Sequence, residues 1–381
     1  MRIYLFKRIL LIFPALLFVV LISFLLLHYA PGDPVERLLN GRGIYENESS
    51  PDNSNEKIKN ELKQRLGLNL PLFYFSICSL DETTLSIGIS KDSWRKYIPQ
   101  ILYHKNNQFH RWVFGDEYYS KGIIHGDFGT SWVSQQKISS ILFSKIRWSL
   151  FFTLVSVFLA YIISVPAGLN SAAHPGSKFD QGFTLFSTIL FSLPVFWIAT
   201  LLMLLFCNPD FLNIFPSSGI SPAGGFPEDK TLLFKIIHSI PYLILPTICY
   251  TYSSLAFLTR SIKTSIAEIL KEDYIRTARA KVLDEKKILW KHALRNALLP
   301  MITIFSQVFP FAIGGSVILE TIFTIPGMGF TIYQSIGSQD YPVIIAVFMI
   351  TGIITMVSFL LTDILYAFAD PRISFTTQVD K

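Results

Sequence analysis

Apolar and polar residues are gathered along this chain into long blocks rather than alternating at short period. Six stretches carry no Asp, Glu, Lys or Arg: Ile9–Ala30, Trp148–Ser177, Gln181–Pro209, Ile236–Thr259, Asn296–Leu319 and Tyr341–Thr362. Each holds at least 22 residues. A helix of about 20 residues crosses a hydrocarbon core of roughly 30 Å, and in lipid a helix satisfies its backbone polar groups within one segment. The pattern predicts six spanning helices. Arg2, Lys7 and Arg8 before the first block resemble a secretory leader. Its apolar stretch is longer than the ~7–15 residues of such leaders and runs into His28-Tyr29-Ala30-Pro31 without a small-residue cleavage pattern. A retained helix is expected.

The polar stretches between the blocks are unequal. Residues 31–147 form one long segment, opened by Pro31-Gly32-Asp33-Pro34, which breaks the first helix. Residues 40–56 are rich in Asn, Ser and Glu and read as a mobile loop. Lys57–Leu66 has helical spacing, with Gly67 as its stop. Residues 80–121 mix Trp, Tyr and charge and read as a small ordered elaboration. Gly126-Asp127-Phe128-Gly129-Thr130-Ser131-Trp132 reads as a structural turn, its two glycines permitting positive φ. Pro166, Pro194 and Pro246 fall in or near the ends of the blocks, where prolines often mark kinks.

Arg260–Leu299 is the second distinctive polar stretch, with ten basic and five acidic residues. Ile262, Ile266, Ile269, Leu270 and Tyr274 recur at three- and four-residue spacing, which is one apolar helix face. The pattern continues through Arg276-Thr277-Ala278-Arg279-Ala280. Leu283-Asp284 interrupts it, and Asp284 is suited to N-cap a second helix from Glu285 toward Pro300. Two short helices joined at a bend are expected. Three roles remain open on residue type: a basic pair lying on anionic headgroups, a packing element of the membrane domain, or a lever gripped by a cytoplasmic partner. The first is slightly favoured, because basic helices beside membranes are common.

Composition agrees with a membrane protein: 51% of the 381 residues are hydrophobic and 16% charged, against about 25% charged in soluble domains. With the long 31–147 loop set aside, Lys and Arg number sixteen on one side of the six blocks and two on the other. By the positive-inside rule both termini and Arg260–Leu299 are cytoplasmic, and the 31–147 and 210–235 loops face outward. Cys78, Cys207 and Cys249 include no C-x-x-C pair and suggest neither a disulfide framework nor a metal site. No G-x-x-x-x-G-K-[ST] or H-E-x-x-H occurs, so no nucleotide, cofactor, metal or catalytic residue is assigned and the chain is not expected to be an enzyme. Asp363, His238 and Glu320 are read as helix-end residues ahead of any substrate role. The scarcity of carboxylates in the blocks argues against an ion-coupled carrier.

The cytoplasmic stretch Asp273–Lys281, followed by His292–Pro300, resembles the EAA-type loop of binding-protein-dependent ABC importers. The match is to the first permease subunit of the dipeptide/oligopeptide/nickel group. Ala30–Pro34, Leu66–Leu72, Gly126–Ser131, Glu320–Gly329 and Asp370-Pro371-Arg372 resemble the same family in order and spacing.

The resemblance implies an all-α polytopic membrane protein with the six-helix, MetI-like fold of type I ABC importers and an enlarged extracytoplasmic segment after the first helix. The expected divisions are residues 1–30 (tail and first span), 31–147 (extracytoplasmic segment), 148–368 (five-helix core with coupling loop 260–299) and 369–381 (cytoplasmic tail). The implied site is an ATPase-coupling surface of Tyr274, Ile275, Arg276, Thr277, Ala278, Arg279, Ala280, Lys281, Val282 and Asp284. Ile275, Ala278 and Ala280 would enter a groove of the ATPase, and Arg276 and Arg279 would meet its acidic rim.

The implied partners are a second homologous permease, two cytoplasmic ATP-binding subunits, an extracytoplasmic substrate-binding protein and the lipid bilayer, with no nucleic acid. The implied location is the bacterial cytoplasmic (inner) membrane, and the implied cargo di- or oligopeptides or a related small solute. Spans three to six would line the path, whose Phe, Ser and Thr suit varied side chains. The family usually has Gly at the bend where this chain has Val282, and valine disfavours positive φ. A secondary transporter or channel working alone, or a membrane-anchored receptor, is the alternative on residue type.

Overall fold

The structure is a computed structural model describing residues 2–28, 32–41, 52–78, 100–115, 121–297, 301–303 and 316–369. The elements are α1 (Arg2–His28), α2 (Pro34–Gly41), α3 (Asp52–Leu66), β1 (Phe75–Cys78), β2 (Gln100–Tyr103), α4 (Gln108–Phe114), α5 (Ile138–Ala173), α6 (Lys178–Ser192), α7 (Val195–Cys207), α8 (Leu232–Ile269), α9 (Asp273–Ala280), α10 (Glu285–Lys287, passing into a π-helical turn, Ile288–Ala293), α11 (Val317–Ile322), α12 (Met328–Ser338) and α13 (Tyr341–Ala369). They form two compact units. One holds the chain up to Val19, Leu142–Tyr333 and the chain from Val347; the other holds Val20–Ile141 and Gln334–Ala346.

Among the described residues, four helices contain stretches long and apolar enough to cross a membrane: Arg8–Leu25, Ile138–Ala173, Leu232–Tyr252 and Tyr341–Phe368. The third block of the sequence is broken. α6 and α7 meet at 96°, at Leu193-Pro194. Pro14, Pro166, Pro241 and Pro246 sit inside continuous helices, whereas Pro194 opens a new one. The carbonyl of Leu193, freed by the break, accepts the Tyr252 hydroxyl at 3.0 Å, which compensates the open backbone. The fifth block, Asn296–Leu319, lies largely outside the described residues. So do most of the 40–56 and 80–121 stretches and Asp370-Pro371-Arg372.

The all-α expectation needs one correction. β1 and β2 form an antiparallel pair with Phe75 opposite Tyr103 and Cys78 opposite Gln100. In the same unit α3 ends at Gly67, whose φ of +72° suits glycine. Asn107 caps α4 by accepting from the His110 amide at 2.7 Å, and Phe109 packs edge-on to Phe24 at 5.4 Å. Gly126 and Gly129 take φ of +74° and +77° as expected, and Asp127 accepts the amides of Lys121 and Gly129, both at 3.0 Å. Those bonds hold its carboxyl below the ordinary carboxylate range. Asp340, before α13, accepts the Ser131 hydroxyl at 2.5 Å and the Trp132 amide at 3.0 Å, so the turn and the start of α13 form one network.

In the larger unit α5 and α8 lie close together. A Cβ on Gly168 would come within 2.7 Å of Ile262. Ser164 donates to the Leu255 carbonyl at 3.2 Å and accepts from Thr259 at 2.9 Å. Arg8 and Asp363 join α1 to α13 at 2.6 Å. Glu320 lies in the first turn of α11, a helix-end position as read from the sequence, and is fully buried there. Its carboxylate accepts the Ser149 hydroxyl at 2.7 Å, the Phe330 amide at 2.9 Å and the Tyr250 hydroxyl at 3.4 Å. A Cβ on Gly327 would lie 2.4 Å from that carboxyl, so only glycine leaves it room.

Candidate functional site

The helix through Ile262 and Ile266 is the end of α8, not a separate loop helix. α8 has 38 residues, about 57 Å at 1.5 Å each and well beyond a ~30 Å hydrocarbon core. The expected first loop helix breaks at Leu270–Glu272, and α9 is a separate eight-residue piece. The second begins at Glu285 as expected, after Asp284, although the Asp284 side chain makes no capping bond. It then passes through a π-helical turn, a feature often found at functional positions.

α9 has two faces. Ile275 is fully buried and Ala278 is 8% exposed. Both belong to a cluster with Leu169 and Ala172 of α5, Ile262 and Ile266 of α8, and Ile288 and Ala293 of the following helix. This corrects the expectation that Ile275 and Ala278 enter a partner's groove: the chain's own helices already occupy them. Helical spacing puts Ile275 and Ala278 on one side, and their burial follows from tertiary packing that periodicity does not specify.

Tyr274, Arg276, Thr277, Arg279, Ala280, Lys281, Val282 and Asp284 are exposed. Tyr274 accepts from the Asn296 side-chain amide, and Thr277 donates to the Asp273 carbonyl at 3.0 Å. Arg276 lies 3.4 Å from Asp273. Arg279 donates in a fork to Glu285, Nε to Oε1 at 2.7 Å, spanning the bend. Val282, after α9, is 91% exposed with φ +57°. Valine therefore occupies the left-handed conformation that glycine serves best, and its amide donates back to the Arg279 carbonyl at 2.9 Å.

On the turn of α8 that packs against α9 lies an ion pair that no motif in the sequence marks. Lys263 Nζ of α8 is 2.5 Å from Asp180 Oδ1 of α6, and Asp180 is 6% exposed. Asp180 carries no motif, so spacing gives no signal that its partner lies 83 positions away.

The model of the family described as "Binding-protein-dependent transport system inner membrane component" matches residues 164–375. The oligopeptide transport system permease protein AppB of Bacillus subtilis (strain 168) is 34% identical over 377 residues, covering 98% of this chain and 100% of that protein. The dipeptide transport system permease protein DppB of Alkalihalophilus pseudofirmus is 29% identical over 381 residues, covering 98% and 99%. A chain of the inward-facing MetNI methionine ABC transporter superposes with a TM-score of 0.47 at 17% identity, over 61% of this chain and 97% of its own.

Proposed function

This chain belongs to the binding-protein-dependent transport system inner membrane components and is an ABC importer permease, and on that premise we propose that it forms half of a path for di- or oligopeptides. It crosses the inner membrane six times with both termini in the cytoplasm. It pairs with a second, homologous permease. Two cytoplasmic ATP-binding subunits drive it, and an extracytoplasmic substrate-binding protein delivers the cargo. Residues 31–147 form the outward segment.

The peptide cargo is supported by relatives named for oligopeptide and dipeptide transport across almost the whole chain. The two-faced α9 supports the mechanism. Its exposed positions Tyr274, Arg276, Thr277 and Ala280, with Lys281 and Val282 just after it, engage the ATPase, and Arg279 and Asp284 shape the bend. Ile275 and Ala278 hold the helix to α5 and α8, so that closure of the ATPases moves those helices as rigid elements. Alternating access follows from such rigid-body movement. The basic residues Arg276 and Lys281 complement an acidic rim and steer the encounter. α9 thus acts as a handle bolted to the permease and gripped from outside.

The test is uptake in proteoliposomes holding this permease, its second permease and its ATPases, with the binding protein outside. ATP-dependent accumulation of labelled di- or oligopeptides is expected. Equal uptake by the permease chains alone would overturn the reading in favour of a stand-alone transporter or channel.

A further inference from the structure

We propose that the Lys263–Asp180 ion pair is a positioning contact that carries movement of the α9 handle into the bent α6–α7 pair. The inference rests on the reading of α9 as the ATPase handle and deepens it.

Lys263 lies between Ile262 and Ile266, which both pack in the cluster that buries Ile275 and Ala278. Whatever moves α9 therefore moves this turn of α8. Asp180 is held on its own side by three local bonds. Its Oδ2 accepts the Gly176 amide at 3.0 Å, its Oδ1 accepts the Thr184 hydroxyl at 3.3 Å, and its amide donates to Ser177 at 3.1 Å. The carboxylate is thus fixed to the first turn of α6, and the Lys263 ammonium meets a rigid target.

A second contact lies at the other end of α6, where Tyr252 of α8 donates to the carbonyl of Leu193. Asp180 meets Lys263 and Leu193 meets Tyr252, so the two helices run antiparallel and are pinned at both ends. Thirteen residues separate the two points on α6 and eleven on α8, similar lengths of helix. α6 must follow α8, and relative motion is left to the 96° bend between α6 and α7. A partly buried ion pair adds little net stability, and its best-attested use is to fix register. Sliding α8 by one turn, about 5.4 Å, separates the two charges.

The test uses the complete complex in proteoliposomes and reads peptide taken up per ATP hydrolysed. Lys263→Met, Asp180→Asn and the double variant are expected to assemble and hydrolyse ATP. Uptake per ATP should fall at least about fivefold, the lower end of usual coupling between sites. The double variant should be no worse than Lys263→Met, because both singles break the same ion pair and Lys263→Met also removes the ammonium's 3.3 Å bond to the Thr184 hydroxyl, and Lys263→Arg should retain most of the ratio. If Asp180→Asn fails to assemble, Lys263→Met, which leaves the α6 cap intact, decides alone. An unchanged ratio in Lys263→Met, or a double loss equal to the product of the single losses, overturns the proposal. A wild-type complex that binds no ATPase would instead overturn the handle reading, so the two failures are distinct.

Discussion

Val282 has a β-branched side chain in left-handed backbone, nine-tenths exposed, so no packing compensates the strain. Left-handed backbone costs an L-residue roughly 1–2 kcal/mol. Val282→Gly relieves it at an entropic cost of about 0.5–1 kcal/mol in the unfolded chain. The expected outcome is a modest net gain, read as a higher midpoint in thermal unfolding of the purified permease. Glu320 is the opposite case, a buried acceptor surrounded by donors. Glu320→Ala leaves the Phe330 amide and the Ser149 O–H donor without their acceptor, although the Ser149 oxygen still accepts the Met328 amide, at about 1–3 kcal/mol for each buried donor left unpaired. Folded yield in detergent is expected to fall sharply, and Gly327→Ala should do the same by driving a methyl into the carboxyl. Asp127 gives the pH dependence. Its folded carboxyl titrates below the ordinary 3.8 because the Lys121 and Gly129 amides bond it. Its contribution is therefore present above the unfolded value and is lost as pH falls through the folded one. Amide exchange at Gly129, relative to its intrinsic rate, should stay slow at neutral pH and quicken only below about pH 4. In Asp127→Asn that step should vanish.

At the scale of elements, α9 gains its position from its neighbours. Eight residues make too few turns for a stable isolated helix, so the burial of Ile275 and Ala278 holds it. Ile275→Ala should cost about 2–5 kcal/mol at that anchor. Pull-down of the ATPases should weaken even though the exposed face is unchanged. The Arg279–Glu285 fork is half-exposed at both ends, and such pairs contribute ~0–1 kcal/mol. Glu285→Ala should leave ATPase retention nearly untouched. The apolar spacing from Ile262 to Tyr274 was legible as helix, but the break at Leu270–Glu272 was not. Nor was the inward turn of Ile275, since both depend on the surfaces α5 and α8 present. The 96° bend was legible only as one kink candidate among others, Pro194 beside Pro166 and Pro246. Five prolines lie in or beside these helices, and the Tyr252 hydroxyl that donates to the freed carbonyl of Leu193 comes from another helix.

Across the molecule, four of the six charge-free blocks fall in described helices long and apolar enough to cross a membrane, and the third falls in the bent pair α6–α7, because lipid leaves a spanning segment so few choices. Gly67, Gly126 and Gly129 marked their turns through positive φ. What remained hidden were pairings between distant positions: Ser149 with Glu320, Ser131 with Asp340, Asp180 with Lys263. Each joins ordinary residue types that only the fold brings together. In the proposed function, energy transfer from the ATPases runs through the exposed face of the α9 handle.

The most direct measurement places a single cysteine at the exposed end of that handle, Val282→Cys, in an otherwise cysteine-free complex active in uptake. A short bifunctional reagent is added with and without ATP. A covalent adduct to an ATP-binding subunit whose yield changes with ATP is the expected result. No adduct under either condition, while peptide uptake continues, would contradict the account.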